Sequence, residues 1–180
     1  MSIKSGFLET ALIALAALTL AGCQQQVPAP EESADAPGKL PISMNAVMVS
    51  VVDSSADYVF ALGNGDLPKN DHDWDMVRSA SYELVLSGEL TKMEGTGAND
   101  AAWAADTGWQ NMAQDLSTIG QEALALAEAR SEDVEAWRGL ADRLVTNCLA
   151  CHEAFKPEIP SEGILHESTE RESRGESIFD

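Results

Sequence analysis

The stretch Cys148-Leu149-Ala150-Cys151-His152 constrains this chain more than any other. It stands near the C-terminal end of a helical run in which Val134, Trp137, Ala141, Leu144, Cys148, His152 and Phe155 recur at spacings of three and four. Residues three apart on a helix project to one side, so the two thiols and the adjoining imidazole share a face with side chains that must be buried. C-x-x-C-H in this order is the attachment signature of a c-type haem. Each thiol can add across one vinyl group to make a thioether, and His152 then takes one axial position on iron as the proximal ligand.

Other chemistries of paired cysteines fit this context less well. A thioredoxin-like redox pair needs a βαβ setting with its first Cys at a helix N-terminus, whereas this pair lies close to a helix C-terminus. A zinc site needs a second ligand pair, and no other Cys or nearby His supplies one. A chance cluster of small buried residues is the plainest alternative, and the scarcity of Cys and His, three of each in 180 residues, weighs against it.

The length allows one domain with targeting and tail segments around it. A formal charge of -19 argues against nucleic acid and anionic membrane surfaces as partners and favours a basic one. Ala, Leu, Glu and Met outweigh β-branched runs, which points to helices. With Cys148 and Cys151 committed, only Cys23 is left, and no disulfide framework can form. No nucleophile-base constellation or phosphate-binding loop is visible, so the chain does not read as an enzyme.

Residues 1–22 carry a single Lys4, an apolar stretch from Ala11 to Leu20, and Ala21-Gly22 before Cys23, the regions of an export signal. The apolar stretch is shorter than the roughly 20 residues of a spanning helix. Leu20-Ala21-Gly22-Cys23 resembles the bacterial lipobox, which implies lipidation of Cys23 as the mature N-terminus. Gln24 behind it implies sorting to the outer membrane, on the periplasmic side. Residues 23–41, rich in Gln, Pro, Glu and Ser, read as a disordered tether.

The first helix is expected over Ile42 to Leu62, with Met44, Met48, Val51, Ser55, Tyr58 and Leu62 inward and Gly63-Asn64-Gly65 as its stop. Asp53-Ser54-Ser55-Ala56-Asp57 breaks the pattern with poor helix formers and marks a kink or a restart with Ser54 as cap. A second helix starts at Asp71 or Asp73 and runs to about Met93, with Trp74, Val77, Ser81, Leu84 and Val85 inward. A third opens near Asn99 or Asp100, is weakened at Gly108, and continues through Trp109, Met112, Leu116, Ile119, Ala123 and Leu126. Ser131 caps the fourth, which Pro157 and Pro160 end. Residues 157–180 read as a disordered acidic tail with almost nothing to bury.

Four amphipathic helices joined by short turns bury their stripes most simply as an antiparallel, up-down-up-down four-helix bundle over residues 42–156, all-α and enclosing the covalent haem. A bundle-length chain with its haem motif near the C-terminus, continuing as Glu153-Ala154-Phe155-Lys156, resembles the cytochrome c′ family, the class II c-type cytochromes. The resemblance covers roughly Ile42 to Lys156. It implies Cys148 and Cys151 as thioether cysteines, His152 as proximal ligand, and Phe155 and Lys156 at the aromatic and basic positions that follow the motif. Met44 stands where many members carry an Arg before the distal position.

The distal side separates two functions. A Met thioether as sixth ligand suits a one-electron carrier of the envelope with a redox partner protein; an empty or apolar distal side suits a five-coordinate haem that binds nitric oxide or carbon monoxide. In an up-down-up-down bundle the start of the first helix lies level with the end of the fourth, which sets Met44 and Met48 opposite His152. Met48 is the expected distal ligand, with Met44 in reserve. A haem-stabilised adaptor lipoprotein is a third reading, and a homodimer is compatible with each. His72 reads as a solvated residue of a polar connection and His166 as part of the tail; the four tryptophans read as core and pocket packing.

Overall fold

The computed structural model describes residues 38–156, 171 and 173–179, and within residues 38–156 it has four long helices and one short one. They are α1 (Met44–Gly63), α2 (Asp71–Thr91), α3 (Asp100–Ala104), α4 (Thr107–Glu128) and α5 (Val134–Phe155). No strand occurs among the described residues, and the chain is all-α. Each long helix starts on a side chain that accepts a backbone N–H the helix itself cannot pair. Ser43 accepts from Ala46, Asn70 from Asp73, Asp106 from Gly108 and Trp109, and Asp133 from Ala136.

Two of these caps differ from expectation. The third segment splits, because the Asp106 carboxylate takes the Gly108 and Trp109 amides at 2.7 and 3.1 Å and starts a new helix there. Gly108 therefore lies inside the first turn of α4 instead of weakening a longer helix. The cap of α5 is Asp133, two residues beyond Ser131. Ser131 instead turns its carbonyl to the Trp137 indole, 2.8 Å away, and its hydroxyl to the Asp133 amide.

The buried stripe of α1 also departs from the expected one. Met44, Val47, Val52, Ser55, Ala56, Val59 and Leu62 are buried, with a gap of five between Val47 and Val52. That gap is a π-helical turn, Met48–Val52, which takes in one extra residue and resets the phase of the stripe. Val51 and Tyr58, expected inward, are consequently only half-buried. No restart occurs at Ser54: the Ser54 and Ser55 hydroxyls donate to carbonyls one turn back, Ser50 and Val51, and the helix absorbs them. By length and composition α1 resembles a membrane-crossing helix, but half of its most apolar window is buried among the other helices.

Close helix contacts are set by glycine. A β-carbon at Gly88 of α2 would stand 2.5 Å from the Ser117 nitrogen of α4, and one at Gly120 of α4 would stand 2.5 Å from the Val85 nitrogen of α2. Only glycine lets the two backbones come this near. The end of α1 meets the start of α5, where Gly63 faces Trp137, Arg138 and Ala141. Asn147 of α5 donates to the Met112 carbonyl of α4, and Arg143 pairs with Glu122 further along it, so these two helices also run in opposite directions. Leu62, Leu84, Ala123, Trp137 and Leu144 are wholly buried at the centre.

Packing extends past the expected boundaries of the domain. Leu40, assigned to the tether, is buried, and its amide donates to the Glu94 carbonyl at 2.8 Å. At the other terminus Arg171 and residues 173–179 are seated against the end of α1. Arg171 pairs with Asp57 at 3.0 Å, the Ser177 hydroxyl and Ile178 amide both donate to Asp66, and the Phe179 ring lies 6.0 Å from that of Tyr58. This part of the tail is held because Arg171 finds a carboxylate and Phe179 an aromatic ring, two opportunities hidden within a polar composition. The signal segment, Cys23, most of the tether, and residues 157–170 with His166 lie outside the described residues.

Candidate functional site

A cavity of about 380 Å³ opens where the start of α1 lies beside the end of α5. Cys148, Cys151 and His152 of α5 line it together with Met44 and Met48 of α1. The apolar part of the remaining wall comes from Val49, Val52, Ala56 and Phe60 of α1, Trp103 of α3, and Trp109, Met112, Ala113 and Leu116 of α4, and its polar part from Asn45, Asp53, Thr91, Asn147 and Lys156. The volume is that of a small-molecule or cofactor site, apolar and aromatic with a few polar groups. Met44 is 1% exposed and Met48 is half-buried at the first residue of the π-helical turn. A π-turn in a helix wall is a feature that recurs at functional sites.

Burial governs the chemistry of the two thiols. It pushes Cys148 up to about 12, with the neighbouring Cys151 and Asp53 adding to the effect, and pushes Cys151 up to about 11. Both are neutral at physiological pH, unlike the activated thiolates of disulfide exchange, which sit in electropositive surroundings. The two sulfurs are free and form no disulfide. His152 is half-buried, and its Nδ1 is shielded from solvent.

Aromatic residues close one corner. Trp103 stacks on Trp109 with ring centroids 5.0 Å apart, and Phe155 meets Trp109 edge-on at 5.1 Å. The Trp109 indole donates to the Thr91 carbonyl at 2.7 Å, and the Lys156 ammonium sits 5.7 Å from the Trp103 ring centre. The first contact satisfies the one polar atom of the Trp109 ring, and the second sets a cation against the π-face of Trp103. Polar groups also stand in the wall: Asn147 donates to the Met112 carbonyl at 3.1 Å, and Asn45 and the Asp53 carboxylate of α1 line the cavity as well.

The donor set limits what the cavity can hold. Among the described residues no group of three or more His, Cys, Asp and Glu side chains is placed to bind a metal ion directly. Only the two thiols and the imidazole are zinc-type ligands, one short of a structural zinc site, but together with the two thioethers they fit a cofactor that brings most of its own metal ligands and asks the protein for attachment and one or two further donors. His72 is exposed in the first turn of α2 and has no part in this cavity.

Comparison with protein-family models, with curated proteins and with solved structures finds no match. Sequence reasoning passed over Asp100, Val52, Phe60 and Asn147. Val52 was hidden by the π-turn, and Asp100 acts at a distance of 56 residues along the chain.

Proposed function

We propose that the chain is a c-type cytochrome of the bacterial envelope, an antiparallel four-helix bundle that holds one covalent haem and carries single electrons to and from a redox partner protein. The observation that supports this most is the gathering of Cys148, Cys151, His152, Met44 and Met48 around one cavity. In this reading Cys148 and Cys151 would anchor the cofactor through thioethers and His152 would give its imidazole nitrogen to the iron. Met48, or Met44 in reserve, would offer a neutral thioether as a further donor. Haem bound here supplies a one-electron iron couple.

The protein's own part is to bind, orient and keep water out. Trp109, Leu116 and Val52 provide apolar walls, which hold the site in low dielectric and disfavour added charge. The thiols stay protonated until they react, which protects them from adventitious oxidation. The segment 1–23 supports export and a lipid anchor at Cys23, on the side of the membrane where thioether attachment takes place. The surplus of negative charge suits a basic partner.

A second reading, a five-coordinate haem that binds a small gas, draws on the apolar Val52, Ala56 and Leu116 that share the wall with the methionines. The deciding experiment is a visible spectrum of purified ferric and ferrous protein with and without carbon monoxide, after acidic organic extraction and weighing of the polypeptide. Retention of the haem mass and a low-spin spectrum are expected, and Met48→Leu is expected to convert it to a five-coordinate one. Loss of the mass refutes covalent haem. A high-spin wild type that binds carbon monoxide readily moves the function to gas binding.

A further inference from the structure

We infer that Asp100 is the positioning residue for the α1 wall of the cavity: it holds the first turn, which carries Met44 and leads directly into Met48, and so governs access to the cofactor face that the two line. The inference rests on the haem reading above. Asp100 is 3% exposed, and its Oδ2 accepts the Met44 and Gly97 amides, each at 2.8 Å. Met44 is the first residue of α1, so its N–H has no partner within the helix, and the positive end of the helix dipole favours a carboxylate there. Ser43 accepts the Ala46 amide of the same turn, and the two side chains divide its donors.

Asp100 belongs to α3, and its bond to Met44 ties that short helix to α1. Three residues on, Trp103 lines the cavity and stacks on Trp109. One turn of chain thus carries both the anchor of one wall and a piece of another. The joint is closed by two backbone bonds, Leu40 to Glu94 at 2.8 Å and Thr96 to Ile42 at 3.0 Å.

Glycine makes room for the carboxylate. A β-carbon at Gly95 would stand 2.3 Å from Asp100 Oδ2 and 2.8 Å from the Ile42 carbonyl, and one at Gly97 would stand 2.6 Å from Oδ1. Directly after the anchored turn comes the π-turn, where the Asp53 amide reaches back five residues to the Met48 carbonyl and the α-helical register is interrupted. The first turn is therefore not locked to the rest of α1 by one continuous α-helical ladder, and the placement of both methionines depends on the anchor ahead of it.

The test uses the full-length holoprotein as wild type, Asp100→Asn, Gly95→Ala and Asp66→Asn, the last loosening the C-terminal contact at the far end of α1. Thermal midpoints are followed by circular dichroism, and the ferrous carbon monoxide dissociation constant by visible titration. A displaced α1 wall uncovers iron whether a thioether binds it or only screens it. Both Asp100→Asn and Gly95→Ala are therefore expected to tighten carbon monoxide binding by about tenfold or more. Asp66→Asn is expected to stay within about twofold at a comparable loss of thermal midpoint.

Unchanged affinity in both variants with haem still attached overturns the inference and leaves the haem reading standing, and so does an equal effect of Asp66→Asn. A chain that takes up no covalent haem overturns both. Amide hydrogen exchange on the wild-type holoprotein needs no variant: protection of the Met44 and Gly97 amides is expected, and rapid exchange at Met44 overturns the inference.

Discussion

At its C-terminal end α1 packs so tightly on α5 that a β-carbon at Gly63 would stand 3.1 Å from that of Ala141, and Leu62, Trp137 and Leu144 are wholly buried. At its N-terminal end the same two helices border a cavity of about 380 Å³. The contrast follows residue choice. Small residues bring the backbones together at the closed end, whereas methionine, cysteine and histidine face one another at the open end. A carboxylate marks each end: Asp66 accepts from Ser177 and Ile178, and Asp100 from Met44 and Gly97. Stability and chemistry are thus given to opposite ends of one helix, and changes at either end should have separable effects.

The largest expected effect is at the open end. Cys148→Ser together with Cys151→Ser should abolish covalent haem, read as complete loss of haem mass from the polypeptide after acidic extraction. At the closed end, Trp137→Ala should cost about 4 kcal/mol of stability in denaturant titration. The visible spectrum of molecules that remain folded should not change, and a spectral shift there would erase the separation.

Alkaline pH gives an intermediate effect in protein made without thioethers. An ordinary thiol titrates near 9.0, and burial raises Cys148 and Cys151 in the folded chain to about 12 and 11. Below pH 9 both states hold their protons. Above it the unfolded chain releases them first, so stability should fall through the window up to pH 11 or 12, by about 1.4 kcal/mol per pH unit for each thiol. The double Cys→Ser chain should lack this loss.

Smaller effects are expected on the surface and at the docked terminus. Arg171→Ala removes a pair in which each side chain is 18% exposed and should cost about 1.5 kcal/mol, measured as a lowered denaturant midpoint. The exposed Glu122–Arg143 pair holds the Glu122 carboxyl below its usual range, through the hydrogen bond from Arg143 first. Its contribution is present above the ordinary carboxylate value and lost as pH falls through the lowered one. Glu122→Gln should cost no more than about 0.5 kcal/mol, and less in high salt.

Much of this arrangement was legible in the pattern of residues. The four long helices, the stop of α1 at Gly63-Asn64-Gly65, and the gathering of Met44 and Met48 with His152 around one cavity agree with what periodicity and connection length predict. What was hidden has particular causes. Counting at 3.6 residues per turn cannot register an extra residue, so Val51 and Tyr58 were assigned the places that Val52 and Val59 take. The break before α4 was misplaced because Asp106 competes as a cap within an Ala-rich stretch that would otherwise continue. Asp100 and the seating of Phe179 are tertiary contacts between segments far apart in sequence, which no local pattern announces.

The π-turn of α1 also bears on how this helix tolerates changes of length. An ordinary helix that loses one residue rotates everything beyond the deletion by about 100°. In α1 a deletion within Met48–Val52 would restore a continuous α-helical phase, yet it would swing either the methionine face or the Val52–Leu62 face away from its neighbours. The two halves are keyed to different surroundings, one to the cavity and one to α5. An insertion or deletion in α1 is therefore survivable only as a compensated pair on the same side of the turn, and a relative without the extra residue would have to be aligned with a gap there.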